Sequence, residues 1–400
     1  MHSKLTYKNL LVAIYLIALS SLPTAAQAEK TVESTEANKP LRIMSNFGIQ
    51  NLTLYKLPFV DEYPTGPFEN LGENQFLFIS KCGDIYFSEL KEQLTLIKPS
   101  IHLAQVIHRS EALGNDDNQL VYCNHYSGVK DTLLIDNSLF VSYTTWDKNQ
   151  NAVRLAVSEL EIDISNLSLT FKRDIFLSDP AIKEPLLGHQ VGGKLALGNS
   201  VNELFLAVGD FSRPEHVQNP ATSIGKVIRI DLKNLNSEVF SSGHRSPSGG
   251  LFYDQDTKEL WLTEHGPHGG DEINLVKKGK NYGWPIVSYG TLYERLGMGN
   301  YYGNKFNTHE GFEKPAMTFV PSIGVGAITK YPNTGMNEYW DNDYFVAGMQ
   351  SMTLYRIKKE GTKLVYAEPV LNGYRIRALK IDAQGHFYIK TDHNQFLVSD

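Results

Sequence analysis

The chain has 400 residues and carries 38 Lys and Arg against 44 Asp and Glu, a formal net charge of -6 at pH 7. This acidic balance argues against nucleic acid and anionic membranes as partners, because both are themselves densely negative. The length suffices for one large domain with a single core, since propellers and barrels routinely exceed the usual domain size.

The N-terminus has the three-part pattern of an export signal. Lys4 and Lys8 give a basic start, an apolar run covers residues 10–22, and an Ala-Gln-Ala triplet at 26–28 stands at the cleavage spacing. The run is too short to span a bilayer comfortably and has no stop-transfer flank. We therefore predict a signal peptide over residues 1–28, a periplasmic or secreted protein, and no membrane span after cleavage. An uncleaved anchor is the alternative.

Residues 29–40 are polar and charged, which predicts a flexible lead-in to a single domain over residues 41–400. The chain has two cysteines, Cys82 and Cys123. Export to an oxidising compartment would permit a disulfide between them, and two buried thiols are an equal alternative. The sequence has no Cys-x-x-Cys motif and no Cys/His cluster that would indicate zinc.

From residue 41 onward, short runs rich in β-branched and aromatic residues alternate with turn residues, without a long helical period. Several runs share one frame, in which an apolar strand, a polar turn and a second apolar strand follow each other. Anchored at their first strand, the six copies begin at Leu77, Leu133, Leu195, Leu251, Ile328 and Leu379. Six antiparallel units at intervals above fifty residues are typical of a propeller of four-stranded blades.

We therefore predict an all-β fold, a six-bladed β-propeller of four-stranded antiparallel sheets. One such unit cannot bury both of its faces, whereas a ring packs each sheet against the next and leaves only short edges. A β-sandwich or two smaller β-domains are the alternatives. The sequence has no composition break or linker, which favours one propeller.

The densest cluster of reactive residue types lies in residues 243–290. His244, Arg245 and Ser246 follow a turn-like segment, which presents polar side chains from irregular backbone. The loop at 265–272 (HGPHGGDE) combines three glycines, a proline and two acids after a strand. Such a loop can aim backbone carbonyls and carboxylates at a hard cation such as calcium. A set of ordinary inter-blade loops rich in turn residues is the simpler alternative.

In order and spacing, the segments GHRSPSG, TEHGP, DEINL and GKNYGWP resemble the soluble quinoprotein sugar dehydrogenases. These are the aldose and glucose dehydrogenases that use pyrroloquinoline quinone (PQQ), with their sorbosone dehydrogenase relatives. The similarity is close over residues 243–290 and looser across 185–392. It implies a six-bladed propeller with PQQ lying flat at the axial mouth on a calcium ion. It also implies a histidine base that takes a proton from an aldose's anomeric hydroxyl while hydride passes to the quinone, and an external electron acceptor.

The resemblance assigns roles beside the cofactor. Arg245 matches the arginine that faces the quinone, and His265 matches a residue whose flat side chain lines the cofactor. Arg375 and Arg377 match a late R-x-R pair. Alternate residues of a strand face the same way, so both guanidiniums could meet the carboxylates of a tricarboxylate cofactor. A solvated strand edge is the alternative for this pair. Asp210 matches a GD sequence near the catalytic mouth, with a turn residue as the alternative.

The resemblance also assigns metal ligands. Gly266 and Pro267 match the residues whose backbone carbonyls bind calcium in the resembled family. Glu272 and Tyr282 match positions that hold a second, structural calcium in some of its members. The ligands implied are therefore PQQ, calcium and a small-molecule sugar.

Several positions depart from the pattern of the resembled family. Ser246 replaces an asparagine that contacts the quinone, and Gln350 stands where a cofactor-binding lysine is usual. Ala378 replaces an aspartate, and GVGAI at 324–328 replaces an APS-containing stretch. Each lost charge-assisted contact to a buried anionic ligand costs about 1.5–3 kcal/mol. Ser246 and Gln350 are still predicted to contact the cofactor from these positions.

The sequence also departs from the resembled family at the position of the catalytic histidine. The resembled family has the sequence H-x-G-G-R-L at this place. When the two glycines are aligned, Gln190 stands at the position of the histidine, and His189 precedes that position by one residue. A one-residue slip on a strand turns a side chain to the opposite face, and a bulge, which glycines permit, would restore it. We predict that His189, Arg245 and Asp210 are catalytic. A surface turn histidine is the alternative for His189.

The sequence therefore leads to two hypotheses about function, one for an enzyme and one for a binding protein. The first is a PQQ- and calcium-dependent dehydrogenase that oxidises aldoses at the anomeric carbon. The second is a non-enzymatic, calcium-stabilised propeller that binds a sugar, a polymer or a protein partner. A metal-dependent lactonase propeller is a weaker third hypothesis, because the sequence shows no clear set of acidic ligands spread over several blades.

Overall fold

The structure, a computed structural model, describes residues 41–46, 48–61, 66–107, 120–183, 188–291, 305–306, 308–334 and 337–399. The predicted signal peptide and lead-in lie outside the described residues. Within these ranges, no helix combines the length and the apolar character needed to cross a membrane.

Nearly all regular structure in the described ranges is β-strand. In the first part of the chain the strands are β1 (Arg42–Ser45), β2 (Gly48–Lys56), β3 (Phe68–Gly72), β4 (Gln75–Ile79), β5 (Asp84–Leu90), β6 (Leu94–Leu96), β7 (Ile101–His102), β8 (Val129–Ile135), β9 (Ser138–Asp147), β10 (Ala152–Asp163), β11 (Ser168–Leu177), β12 (Gly192–Leu197), β13 (Glu203–Val208), β14 (Lys226–Asp231) and β15 (Ser237–Ser242). They continue as β16 (Gly250–Asp254), β17 (Glu259–Glu264), β18 (Asp271–Val276), β19 (Val287–Ser288), β20 (Lys305–Phe306), β21 (Met317–Phe319), β22 (Val325–Lys330), β23 (Tyr344–Gly348), β24 (Thr353–Glu360), β25 (Lys363–Asn372), β26 (Ile376–Ile381), β27 (Phe387–Thr391) and β28 (Gln395–Ser399). The helical elements are α1 (Leu103–Val106) and a 3-10 turn (Pro214–His216).

These strands form six antiparallel sheets, which are blades 1 to 6 of a β-propeller. Blades 1 to 5 have the orders β3-β4-β5-β6, β8-β9-β10-β11, β12-β13-β14-β15, β16-β17-β18-β21 and β22-β23-β24-β25, and β7 pairs with β5. Blade 6 has the order β26-β27-β28-β2-β1 and joins strands from both ends of the described chain. A separate short pair, β19 and β20, is parallel. The predicted six-bladed β-propeller is confirmed.

The first strand of each blade faces the propeller axis. An axial cavity of about 280 Å3 is lined by residues of β3, β8, β12, β16, β22 and β26. Five of the six repeat anchors from the sequence lie in these inner strands, but Leu77 lies in β4. The anchor of the first copy was therefore wrong by one strand. The true inner strand, β3, reads Phe-Glu-Asn-Leu-Gly and lacks the apolar run used to find the others.

Why this ring forms is visible in its core. The buried apolar residues fall into six clusters, and each cluster lies between two neighbouring blades. The cluster between blades 6 and 1 contains Phe396 from β28 and Phe68 from β3, whose rings meet edge to face at 5.1 Å. Each sheet thus buries both faces against its neighbours, as the repeat pattern required.

The ring closes through the N-terminal strand β2. Leu52 of β2 lies opposite Ser399 of β28, and Leu54 lies opposite Leu397. Without β2, blade 6 would have only the three strands β26, β27 and β28, because the chain offers no later strand in the described residues. Closure of this kind pairs the two ends of the domain and removes an open sheet edge.

Replacing Leu52 with Ala should destabilise the protein by about 2–5 kcal/mol, the usual loss for a buried leucine. Leu52 is 6 % exposed and belongs to the cluster between blades 5 and 6. The matched control is Leu54→Ala on the same strand, where the side chain is 43 % exposed; its effect should stay within about 0.5 kcal/mol. Urea unfolding measures both changes. Equal effects at the two positions would contradict closure of blade 6 by β2.

Candidate functional site

At one end of the axis, which we call the mouth, the propeller opens into a cavity of about 1090 Å3. Several segments that lead into the inner strands β8, β12, β16 and β22 meet there. The lining residues are Tyr126, His189, Gln190, Arg245, Ser246, His265, Gly266, Pro267, His268, Gly269, Asp271, Val320, Pro321, Ser322, Gly324 and Gln350. Seven of the residues singled out in the sequence meet in this cavity: His189, Arg245, Ser246, His265, Gly266, Pro267 and Gln350.

The segment before β12 presents His189 and Gln190 side by side. Both precede the strand, which starts at Gly192, and they belong to a turn in which Gln190 has a positive φ of 55°. The two-residue alternation of a strand therefore does not apply to them, and both side chains line the mouth. A register shift between Gly192 and Lys194 supplies the bulge that the glycines permit.

His189 is held by a hydrogen bond and by an aromatic neighbour. Its Nδ1 lies 2.7 Å from Ser212 Oγ, and its ring meets the ring of Tyr126 at 4.7 Å. Burial lowers the pKa of His189 to about 4, and the positive charges of Arg245 and Lys130 add to this effect. The imidazole is therefore neutral at pH 7 and able to accept a proton.

Asp210 lies behind Gln190, outside the lining of the mouth. With the Gln190 amide oriented to satisfy both neighbours, its nitrogen donates to Asp210 Oδ1 at 2.7 Å and its oxygen accepts from Arg245 Nη2 at 2.8 Å. Asp210 also accepts from Trp284 Nε1 and from the backbone N–H of Ser212, both at 2.8 Å. Burial raises the pKa of Asp210 to about 6, although the Arg245 charge opposes the shift. This hydrogen-bonded chain connects a buried carboxyl to the mouth.

The substitution Asp210→Asn should change how stability depends on pH. The folded-state pKa of Asp210 is about 6 against an ordinary 3.8, so the folded protein binds this proton more tightly than the unfolded chain. The wild type should therefore gain unfolding free energy relative to the variant as the pH falls from about 7 to about 4, by up to about 3 kcal/mol. Chemical denaturation of both proteins across this range measures the difference. A difference that does not vary with pH would refute the raised pKa.

Arg245 connects the mouth to the loop at 265–272. Its Nη1 donates to the carbonyls of His265 at 3.0 Å and Gly266 at 2.8 Å, and its guanidinium lies 5.2 Å from the Trp284 ring centroid. Its backbone N–H donates to Glu264 Oε2 at 2.8 Å. These contacts fix a cation at the wall of the mouth, where it can stabilise negative charge that develops on an oxygen.

The predicted calcium loop is held by Asp271. Asp271 Oδ1 accepts from the backbone N–H of Gly266 at 3.2 Å, and Oδ2 accepts from the N–H of Val325 at 2.9 Å. The Gly266 carbonyl already accepts from Arg245, but a carbonyl oxygen has two lone pairs. Among the described residues, no group of three or more His, Cys, Asp or Glu side chains could hold a metal. The carbonyl site at Gly266 and Pro267 remains a prediction.

The positions matched to a second calcium border a small neighbouring cavity of about 20 Å3. Glu272 lies directly opposite Glu264 across β17 and β18, and Asn274 Nδ2 donates to both carboxylates, at 3.1 and 2.8 Å. Burial and the Glu264 charge raise the pKa of Glu272. The Tyr282 hydroxyl is already used, because it donates to the Leu275 carbonyl at 2.5 Å. Glu264 also accepts from His244 Nδ1 at 2.9 Å, and His309 Nε2 lies 3.4 Å from Glu272. The second calcium site remains a prediction.

The late arginines Arg375 and Arg377 converge on one carboxylate. Arg375 and Arg377 both pair with Asp392, with Arg375 Nε at 2.6 Å and Arg377 Nη2 at 3.0 Å from Oδ2. Arg377 lines a second cavity, next to the mouth, whereas Arg375 borders neither cavity. A register shift lies between Ile376 and Ala378, yet both guanidiniums reach the same Asp392 oxygen. Their contact with a cofactor remains a prediction.

A family model described as "Glucose / Sorbosone dehydrogenase" matches residues 77–398. The chain belongs to this family. It is 25% identical over 403 aligned residues to an uncharacterized protein of Synechocystis sp., covering 93% of this chain and 89% of that protein. It is 26% identical over 295 residues to the aldose sugar dehydrogenase YliI of Escherichia coli, covering 68% and 76%. A crystal structure of a glucose dehydrogenase shares the fold, with a TM-score of 0.71, 24% identity and coverage of 87% and 99%.

Family membership confirms the resemblance carried by residues 243–290. Part of the mouth, however, was not predicted from the sequence. Tyr126 lines the mouth, and Lys81 and Lys130 line the second cavity. They come from blades 1 and 2 and the segment between them, where the sequence has no dense motif. The one sequence signal near these residues is a turn glycine, Gly128, which has a positive φ.

The cysteine pair, left open by the sequence, is a disulfide. Cys82 and Cys123 are bonded, with their Cα atoms 5.3 Å apart and a sequence separation of 41. The bond ties the turn after β4 to the segment that carries His125 and Tyr126. Because the Tyr126 ring packs against His189, the disulfide restrains one wall of the mouth.

Replacing both Cys82 and Cys123 with Ala should lower the free energy of unfolding by about 4 kcal/mol, the chain-entropy value for a loop of 41 residues. Urea unfolding measures the loss. The matched control is the wild type unfolded in the presence of a reductant, which should lose stability by a similar amount. If the reductant reaches both sulfurs and stability does not change, the bond does not restrain this loop.

Proposed function

We propose that this protein is a PQQ- and calcium-dependent dehydrogenase that oxidises an aldose at the anomeric carbon and passes the electrons to an external acceptor. The glucose/sorbosone dehydrogenase family supports a sugar dehydrogenase in general. The observation that carries the finer proposal is the mouth itself. It gathers a neutral histidine, His189, a fixed cation, Arg245, and the carbonyl-bearing loop at Gly266 and Pro267 around one cavity.

The mouth fits a flat anionic cofactor together with a sugar. Its volume of about 1090 Å3 is at the upper end of ligand cavities, which span roughly 300–1,000 Å3. His265 and Pro267 offer flat surfaces, and Gln350, which follows β23 of the neighbouring blade, offers an amide. The carbonyls of Gly266 and Pro267 are the hard oxygen ligands that calcium prefers. When bound, the quinone would supply the hydride acceptor.

The chain's own residues would handle the proton and the charge. His189 is neutral at pH 7, and Ser212 engages its Nδ1, which leaves Nε2 to accept the proton of the anomeric hydroxyl. Arg245 would stabilise negative charge on an oxygen that faces it. Asp210 and Gln190 would hold the Arg245 guanidinium in place, since the amide joins the two.

We also propose that the protein is exported to the periplasm or secreted. The basic and apolar pattern of residues 1–28 supports this. The Cys82–Cys123 disulfide supports it independently, because such bonds persist mainly in oxidising compartments.

A second candidate function is a non-enzymatic propeller that binds a sugar, a polymer or a protein partner. The specific observation in its favour is Gln190. This amide occupies the position aligned with the histidine of the resembled family and is hydrogen-bonded to both Asp210 and Arg245. An amide does not act as a base at neutral pH, so catalysis would depend on the neighbouring His189.

The deciding experiment adds PQQ and calcium to the purified mature protein, records the quinone absorbance, and follows dye reduction with a panel of aldoses. We expect bound quinone and aldose-dependent turnover. His189→Ala should lower kcat by about 10²–10⁴-fold, the usual contribution of a general base, and should leave the quinone absorbance intact.

The control is His386→Ala, in the turn between β26 and β27 at the end of the axis away from the mouth. It should leave turnover unchanged. If no quinone binds and no aldose is oxidised, while calcium still raises the melting temperature, the dehydrogenase proposal fails and the binding propeller is favoured.

A further inference from the structure

The proposed proton acceptor, His189, lies in a turn, so the alternation of a strand does not fix the orientation of its ring. The ring is held instead by a residue from another turn, Ser212, whose Oγ lies 2.7 Å from Nδ1. Among the described residues, Ser212 is the hydrogen-bond partner of this imidazole, and no carboxylate contacts the ring. The orientation of His189 therefore depends on where the Ser212 hydroxyl is placed.

The turn that carries Ser212 has an uncommon backbone. Phe211 and Ser212 have consecutive positive φ angles of 54° and 59°. This left-handed conformation is uncommon outside glycine and rarer still for a bulky side chain. The Phe211 side chain is fully buried in the apolar cluster between blades 2 and 3, which fixes the turn from below. Backbone of this kind persists where its surroundings enforce it, and it is concentrated at sites that need one side chain in one place.

Hydrogen bonds fasten this turn to the turn that carries His189. The backbone N–H of Ser212 donates to Asp210 Oδ1 at 2.8 Å, and the N–H of Phe211 donates to the carbonyl of Gln190 at 3.3 Å. The same Asp210 carboxyl is joined to the Gln190 amide. Asp210 therefore acts on the imidazole indirectly, because it fixes the position of Ser212 without touching the ring.

The direction of the bond between Ser212 and His189 decides what the histidine can do. A serine hydroxyl can donate or accept, and the role of one ring nitrogen sets the role of the other. Ser212 is half-buried, so its own O–H can donate to water while Oγ accepts from the ring. The positive charge of Arg245 also acts on the ring. Near a cation, a bare Nε2 with its lone pair is favoured over a second N–H donor.

We propose that Ser212 is the positioning residue for His189: its hydroxyl accepts from Nδ1–H, selects this tautomer and leaves Nε2 as the proton acceptor. The inference rests on the proposed function. It differs from the arrangement in which a carboxylate directly engages the base, because the buried carboxyl, Asp210, is one serine removed. A neutral hydroxyl does not stabilise an imidazolium as a carboxylate would. This agrees with the pKa of His189, which burial lowers to about 4.

The charges around His189 define what a change at Ser212 would do. The titratable groups that act on the ring or line a cavity with it come from blades 1, 2, 3, 4 and 6 and from the segments next to them. They are Lys81, Tyr126, Lys130, Lys194, Arg245, His265 and Arg377. None of them is an acid, so a carboxylate introduced at Ser212 would be the nearest negative charge to Nδ1.

Nitrogen NMR of labelled histidine side chains tests the tautomer on protein without cofactor, with His189→Ala to assign the signal. In the wild type, Nδ1 should carry the proton and Nε2 should be bare. Ser212→Ala removes the acceptor and should shift the population towards Nε2–H. Ser212→Asn supplies an amide oxygen as acceptor, and asparagine tolerates a positive φ. This variant should therefore restore the Nδ1–H form.

Ser212→Asp and Ser212→Asn have the same shape and differ only in charge. The carboxylate should raise the pKa of His189 by about one pH unit or more relative to the amide, as measured by NMR titration. The acid limb of kcat/KM should move to higher pH by the same amount, because a protonated histidine cannot accept a proton. A merely structural role for Ser212 would change the melting temperatures and leave no difference in pKa between the two variants.

In the loaded protein, Ser212→Ala should lower kcat by about tenfold to a hundredfold and leave KM within about twofold, since the base is misplaced but the sugar keeps its contacts. The control is Ser237→Ala, which removes a hydroxyl from the exposed start of β15, at the end of the propeller away from the mouth. It should change neither kcat nor the His189 signals. Melting temperatures verify that each variant is folded.

Two results would overturn the inference. One is a wild-type His189 that carries its proton on Nε2. The other is a tautomer and a pKa that respond to none of the three changes at Ser212. Failure of the proposed dehydrogenase would look different: the Nδ1–H form and its dependence on Ser212 would be observed in protein without cofactor, and no aldose would be oxidised.

Discussion

Every blade of this protein has two apolar faces, and only a neighbouring blade can cover each of them. The six apolar clusters, one at each junction between blades, satisfy this constraint all around the ring. The junctions can be complete only if the last blade is complete, which is why β2 from the start of the domain pairs with β28 at its end. The closed ring then brings the segments that precede the inner strands to one mouth, where all the chemistry proposed for the protein lies.

Burial at the mouth also explains its electrostatics. The same exclusion of water keeps His189 neutral, raises the pKa of Asp210 and lowers the pKa of Lys130. In each case burial disfavours the charged form, and neighbouring cations add to or oppose the shift. Gln190 carries no charge, so it joins Asp210 and Arg245 without the larger desolvation cost of a third buried ion. The neutral acceptor at His189 and the raised pKa of the Asp210 carboxyl thus arise from one cause.

Much of the fold and part of the site could be predicted, for reasons visible in particular residues. Leu133, Leu195 and Leu251 belong to apolar inner strands, so the repeat found them, whereas β3 contains Glu69 and escaped detection. The buried carboxylate of Glu69 pairs with Thr132 of blade 2 on one side and with Lys380 of blade 6 on the other, contacts that no local pattern contains. The face expected for His189 was argued from strand alternation, which fails because the residue lies in a turn before β12.

The sequence by itself determined the number of blades and the cluster at residues 243–290, because both are properties of neighbouring residues: alternating apolar character and a dense motif. Only the tertiary structure decided which distant side chains join that cluster. Tyr126 and Lys130 reach it through the disulfide-tied segment and the inner strand of blade 2, and Arg377 comes from the last blade. The physical reason is closure of the ring. It sets residues far apart in the chain around one axis, and no spacing within a single blade records which of them will meet there.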